Sequence, residues 1–228
     1  MEYLEETGAP IDLDQFASAL GRRDHALVLD CADVTVDYVP LDSGAMELLV
    51  LDTRVPRTLA TSRYNQRVAE CADAHRALRK VREYEWLAQY TAEDLARAPG
   101  LAGDPRLRVT HVVEEMARVR AAITALRGQD LVGLGRLLNL SHASSRDLYE
   151  VSCAELDVIT GAARECEDVF GARLTGAGFG GCAVAILRPG SAGRVRSLVE
   201  ARFKAEFGSP PGFHLLRPGR GPVERGLA

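Results

Sequence analysis

Lysine is almost absent from this chain: of 28 lysines and arginines, only Lys80 and Lys204 are lysines. Neither sits in a glycine-rich turn. A Walker-type P-loop needs its lysine beside such a turn, so that class of nucleotide site is excluded. Long apolar runs are also missing, and none approaches the roughly 20 residues of a membrane helix. Cysteine is sparse and odd in number. Cys31, Cys71, Cys153, Cys166 and Cys182 are widely spaced and form no Cys-x-x-Cys, which fits reduced thiols in the cytoplasm. There is no basic excess, because the formal net charge is −4, and a nucleic-acid platform normally carries a basic surface. The opening Met1-Glu2-Tyr3-Leu4-Glu5-Glu6 is acidic and lacks the apolar run of a signal peptide. What is present is 228 residues of which 46% are hydrophobic. That is enough for a packed core in one or two domains and unlike a disordered chain.

Periodicity divides the chain into three parts. Asp14 to Leu20 has helical spacing, with Gly21 as a C-cap. Three β-like runs follow, Ala26–Leu29, Val34–Val39 and Met46–Leu51, separated by short turns. They predict an antiparallel meander. The middle of the chain is helical. Tyr64 to Leu78 carries one apolar stripe, and Thr91 with Asp94 reads as a capping box. Asp104-Pro105 predicts the start of a long helix that Gly128 closes. Asp130 caps the next helix, and Ser152-Cys153-Ala154-Glu155 reads as a second capping box. The last fifth returns to strands around one helix: Ala172–Thr175, Ala183–Leu187, a helix after Ser191, and Phe213–Leu216. The glycine- and proline-rich tail from Pro218 to Ala228 is expected to fray. The order predicts an α+β architecture with helices gathered on one side of an antiparallel sheet.

The densest local signal is Thr175-Gly176-Ala177-Gly178-Phe179-Gly180-Gly181-Cys182, with four glycines in six residues between two strands. Glycine permits positive φ and lets backbone N–H groups approach a ligand. Successive N–H groups in such turns form a nest for anions such as phosphate. The residues alone also allow a tight hairpin with glycine bulges. A dinucleotide-binding fingerprint fits poorly, since no helix opens directly after these glycines. His25, His75, His111 and His214 lack partners at metal-ligand spacing, so zinc is not expected.

Thr175 to Cys182 resembles the third signature motif of the GHMP small-molecule kinases, and specifically that of galactokinases. Three further stretches, in the same order, resemble galactokinases. Asp14 to Gly21 is similar to the helix carrying their catalytic aspartate. Asp52-Thr53-Arg54-Val55, with Ser62 to Arg67, is similar to the segment delivering a sugar-contacting tyrosine. Ser141 to Cys153 is similar to a long galactokinase block. No stretch of the 228 residues resembles the family's Glu-, His- and Asp-rich sugar segment or its Pro-x-Gly-x-Gly-Leu-Ser-Ser-Ser nucleotide loop. The resemblance is therefore to the C-terminal three-fifths of a galactokinase. Ile11 stands where galactokinases usually have a glycine.

The resemblance implies a GHMP fold. Residues 1–53 would be the remnant of an N-terminal domain, 54–217 a C-terminal α/β sandwich and 218–228 a flexible tail. It implies transfer of the ATP γ-phosphate to the 1-hydroxyl of galactose or a related sugar, with ATP and Mg2+ bound. Asp14 would accept the hydroxyl proton, Tyr64 would contact the sugar, and Gly176, Ala177, Gly178, Gly180 and Gly181 would hold the nucleotide phosphates. Glu2 would be a magnesium ligand, with Glu5 as its rival. On residue type alone Asp14 reads as a solvated acid at a helix start, and Tyr64 reads equally as a tyrosine packed on the core. Arg54, Arg57, Arg63 and Arg67 are expected as solvated helix-face arginines, with added positive potential near the phosphates as the other reading. His142, Arg146 and Asp147 are expected to be structural. The expected partners are a sugar and a complementing N-terminal polypeptide, not nucleic acid or membrane. Alone, the chain is expected to have little activity. The alternatives are a non-catalytic sugar-sensing regulator and half of a split kinase. The strands from Ala26 to Leu51 are expected to belong to the N-terminal remnant and to leave an open sheet edge prone to pairing.

Overall fold

A computed structural model describes residues 13–55 and 60–217. The expectations for Glu2, Glu5, Arg57, the Asp14 side chain and the tail from Pro218 lie outside the described residues. Helix α1 spans Leu13–Leu20, and Asp14 falls in its first turn. Strands β1 (His25–Asp30) and β2 (Thr35–Pro40) form an antiparallel hairpin. The turn is fixed by Asp33, whose Oδ1 accepts the Thr35 N–H at 3.1 Å and the Thr35 hydroxyl at 2.7 Å.

The meander stops there. Strand β3 (Glu47–Asp52) does not pair with β2 but lies between β5 (Cys182–Leu187) and β6 (Gly212–Leu216). The four-stranded sheet has the order β4-β5-β3-β6, with β4 spanning Val169–Leu174, and all its pairings are antiparallel. The reason is burial. Leu49 and Leu51 are fully buried and share one sheet face with Ala172, Leu174, Ala183, Ala185 and Leu187. A hairpin with the exposed β2 could not bury both faces of the run from Leu48 to Leu51. The predicted grouping of β1 to β3 into one sheet is corrected accordingly.

Helices cover both faces of this sheet rather than one. Helices α6 (Ala154–Arg164) and α7 (Ala192–Phe207) pack on the Leu49 face through Leu156, Ile159, Val195, Val199 and Phe203. On the opposite face α5 (Leu131–Asp147) crosses β4, and Leu134 packs with Ile186 and Met46. The crossing is tight because two glycines meet. A Cβ on Gly135 would lie 2.0 Å from the Phe170 carbonyl oxygen, and one on Gly171 would lie 2.1 Å from that of Gly135. A second core, built on Ala74, Leu78, Tyr90, Leu95 and Val109, joins α2 (Ala60–Leu78), α3 (Ala92–Ala96) and α4 (Gly103–Arg127).

Capping is partly as expected. The Thr91–Asp94 box forms, and Asp130 accepts the Gly133 N–H at 2.8 Å. Helix α4 instead starts behind Ala102, so Asp104 sits inside its first turn rather than capping it. Helix α6 takes Cys153 as its N-cap, without a side-chain cap bond. The Ser152 hydroxyl donates to Asp157 Oδ1 at 2.7 Å, so the predicted box from Ser152 to Glu155 does not form. No helix among the described residues is long and apolar enough to cross a membrane.

Candidate functional site

The loop between β4 and β5 has an unusual backbone. Gly176, Gly178, Phe179, Gly180 and Gly181 all have positive φ, of 75°, 78°, 58°, 124° and 76°. Only glycine adopts this region without steric cost, so the four glycines are required by the path of the chain. Thr175 donates its N–H to the Cys182 carbonyl at 2.9 Å and closes the base of the loop. Phe179 donates its N–H to the Val151 carbonyl at 2.7 Å and anchors the tip. Among the described residues, the amides of Gly176, Ala177, Gly178, Gly180 and Gly181 make no hydrogen bond within the protein. A bulged hairpin would have returned these donors to its own ladder.

Two neighbouring segments hold the loop. After β3, the Thr53 N–H and hydroxyl both donate to the Gly181 carbonyl, at 3.0 and 2.7 Å. The Val55 carbonyl lies 3.1 Å from where a Gly180 Cβ would stand. The α5–α6 connection approaches more closely, with the Val151 carbonyl oxygen 2.1 Å from where a Gly178 Cβ would be. Helix α2 also reaches the loop. The Arg63 guanidinium lies over the Phe179 ring at 5.9 Å from its centroid. Tyr64 is the next residue on α2 and is half-buried. The loop, Thr53, Val55, Val151 and the beginning of α2 are thus brought together.

A cleft of about 570 Å³ opens beside Arg63, between α2 and the N-terminus of α6. Arg67, Arg146, Glu150, Ser152 and Asp157 line it. Arg67 is not the solvated arginine expected from its helix position. It is only 7% exposed and pairs with Glu70 at 2.5 Å and Glu150 at 3.3 Å. Burial raises the cost of two charges, which the network offsets through hydrogen bonds.

The centre of that network is Arg108, which sequence reasoning missed. It is fully buried, donating from Nε to Glu70 Oε2 at 2.6 Å, from Nη1 to the Leu148 carbonyl at 2.6 Å, and from Nη2 to Glu150 Oε2 at 2.7 Å. Burial works against the Glu70 charge, but hydrogen bonds from Arg108, Arg67 and Gln66 outweigh it and hold its carboxyl below the usual range. The spacing of Arg67 and Glu70 hinted at a pair on α2. Nothing local linked them to residue 108.

His142 lies on the buried side of the loop's first strand. Its Nδ1 accepts the Leu174 N–H at 3.2 Å, so the neutral ring carries its proton on Nε2. Nε2 faces the Thr160 hydroxyl at 3.0 Å and Asp157 at 3.2 Å. Burial, aided by Arg164, pushes its pKa down to about 4. The ring is a buried connector between α5, α6 and β4. Arg146 and Asp147 pair with each other at 2.7 Å. His111 is similarly buried, stacks on Tyr149 at 4.6 Å and sits 2.8 Å from the Ser144 hydroxyl; burial takes its pKa to about 4. Among the described residues no three His, Cys, Asp or Glu side chains are grouped to hold a metal ion.

Residues 122–205 match the family model for the C-terminal domain of GHMP kinases. The chain is 39% identical over 209 residues to a galactokinase of Thermotoga petrophila, covering 92% of this chain and 58% of that protein. It is 37% identical over 214 residues to a galactokinase of Clostridium tetani, covering 93% and 55%. The crystal structure of Lactococcus lactis galactokinase complexed with galactose superposes with a TM-score of 0.88 at 33% identity, over 93% of this chain and 55% of that one. A mevalonate kinase of L. major, at 20% identity and a TM-score of 0.54, shares the fold. The chain therefore spans a little over half the length of the galactokinases it matches. Residues 122–205 thus carry a match to the C-terminal domain of GHMP kinases, and over more than nine-tenths of its length the chain is similar to galactokinases.

Proposed function

We propose that the chain serves a galactokinase reaction, the transfer of the ATP γ-phosphoryl group to the 1-hydroxyl of galactose. The observation that carries this reading is the β4–β5 loop. Five of its amides are free of protein partners among the described residues, and its path excludes a β-carbon at Gly178. Donors arranged in this way suit phosphate oxygens, and they need no lysine. Phosphoryl transfer asks the protein mainly for positioning and charge stabilisation. Gly176, Ala177, Gly178, Gly180 and Gly181 would bind the nucleotide phosphates, with Arg63 adding positive potential. Tyr64 would orient the sugar through its phenol. Asp14 would accept the proton of the attacking hydroxyl. Bound Mg2+ would neutralise phosphate charge, with Glu2 as its candidate ligand. We place the reaction in the cytoplasm.

We further propose two structural units, residues 1–53 and 54–217, with β3 of the first joining the sheet of the second through β5 and β6. The family's Gly-Leu-Ser-Ser loop has no counterpart in the 228 residues, so turnover by this stretch alone should be slight. The test compares galactose-dependent ADP release by the 228 residues alone and by the same residues joined to the N-terminal segment of a galactokinase. Activity only in the joined chain, abolished by Asp14→Asn, supports the reading. A joined, folded chain that releases no ADP with galactose overturns it.

A further inference from the structure

Two non-glycine residues with positive φ meet at one hydrogen bond. Phe179 (φ 58°) donates its N–H to the carbonyl of Val151, and Val151 follows Glu150 (φ 53°). A left-handed backbone at a residue with a side chain is costly and persists only where its surroundings over-determine it. The surroundings of Glu150 do so. Arg108, fully buried on α4, grips both the Glu150 carboxylate and the Leu148 carbonyl two residues earlier. Arg67 adds a third contact at 3.3 Å, and the Val151 N–H is held by the Ser145 carbonyl at 3.0 Å. The left-handed turn at Glu150 turns the Val151 carbonyl toward the glycine loop.

We infer that Glu150, clamped by Arg108, is a positioning residue for the glycine loop. The buried charge network on α2 and α4 sets the Leu148–Val151 segment, and the Val151 carbonyl sets the tip of the loop at Phe179. This rests on reading the loop as the phosphate-binding element. Among the described residues the Glu150 carboxylate pairs with Arg67 and Arg108 and not with the loop, and its side chain is 48% exposed, so its replacement opens no large cavity in the core.

The experiment uses the 228-residue chain with Glu150→Ala and Glu150→Gln. Amide hydrogen exchange is followed at Phe179, with Val184 of β5 and Val199 of α7 as references, and Mg·ATP binding is measured by calorimetry. Glu150→Ala should speed exchange at Phe179 at least tenfold, leave Val184 and Val199 unchanged and weaken Mg·ATP binding about tenfold. Glu150→Gln keeps an oxygen for Arg108 and should restore both readouts to within threefold of the parent. Unchanged protection at Phe179, or protection lost equally at all three amides, overturns the inference. If the 228 residues bind no Mg·ATP, binding is measured on the chain joined to the N-terminal segment of a galactokinase, and no binding there overturns the phosphate reading instead. The exchange measurement then decides the positioning role by itself.

Discussion

The carbonyl oxygen of Val151 does two things to the glycine loop: it accepts the Phe179 N–H at 2.7 Å, and it fills the space 2.1 Å from where a Gly178 Cβ would stand. The hydrogen bond and the missing side chain are one requirement. The loop reaches its anchor only because nothing projects from residue 178.

Gly178→Ala should therefore cost more than its backbone strain. Gly190 is a built-in control, with the same φ of 78° and no atom within 4 Å of where its Cβ would stand. Gly190→Ala should cost about 1 kcal/mol for strain alone. Gly178→Ala should cost roughly 2 kcal/mol more, since either the anchor bond breaks or the Val151 segment shifts. Urea unfolding of the two variants checks the difference, and equal midpoints would refute it.

A second close approach governs how α5 seats on the sheet. A Cβ at Gly135 or at Gly171 would stand about 2 Å from backbone atoms of the facing element. Alanine at either position forces backbone against backbone, where no rotamer change gives relief. Each substitution should destabilise by about 3 kcal/mol, in the range of severe overpacking. The double variant should cost less than the sum of the singles, because both report on one crossing. Chemical denaturation of the three variants measures this.

Much of this was legible in the sequence, for identifiable reasons. Local signals succeeded at several points: Thr91 and Asp94 box the start of α3, Asp130 caps α5, and the glycine run marks its loop. The larger failures were long-range. Nothing in Met46 to Leu51 distinguishes pairing with β2 from pairing with strands more than 130 residues away. The deciding quantity is burial of both faces, which only the assembled sheet supplies. Ser152 likewise has a cap sequence, but Asp157 one turn on competes for its hydroxyl and wins. Arg108 was invisible as a site residue because its partners lie 38 and 42 positions away.

Removing Arg108 should expose the cost of a broken buried pair. Arg108→Met leaves Glu70 with less compensation and Glu150 without its main partner, and should lose about 3–5 kcal/mol. Adding Glu70→Gln removes one stranded charge and should recover part of that loss. A double-mutant cycle in urea isolates the coupling. Additive effects would mean that the 2.6 Å contact between them carries no net stability.

The buried histidines set an acid limit on the fold. His111 and His142 each have a pKa near 4 in the folded chain, against 6.5 when exposed, chiefly through burial. The groups around His111 are Glu115, Arg118, Arg173 and Ser144; those around His142 are Asp157, Arg164, Arg146 and Thr160. Between those values the unfolded chain binds protons that the folded chain refuses. Stability is therefore full above about pH 7 and falls as the pH drops through 6.5 toward 4. The loss at pH 5 should be about 1–2 kcal/mol per histidine. Carboxylates held low by their partners, such as Glu70 and Asp147, begin to lose their contribution only as the pH falls through their ordinary values of 4.5 and 3.8, so they do not mask the range from pH 7.5 to 5.0. His142→Asn keeps an acceptor where Nδ1 meets the Leu174 N–H but cannot take up a proton. Its urea midpoint should be lower than the parent's at pH 7.5 and should shift less between pH 7.5 and pH 5.0. A parent midpoint that stays constant over that range would show that both rings are as free to protonate in the fold as in water.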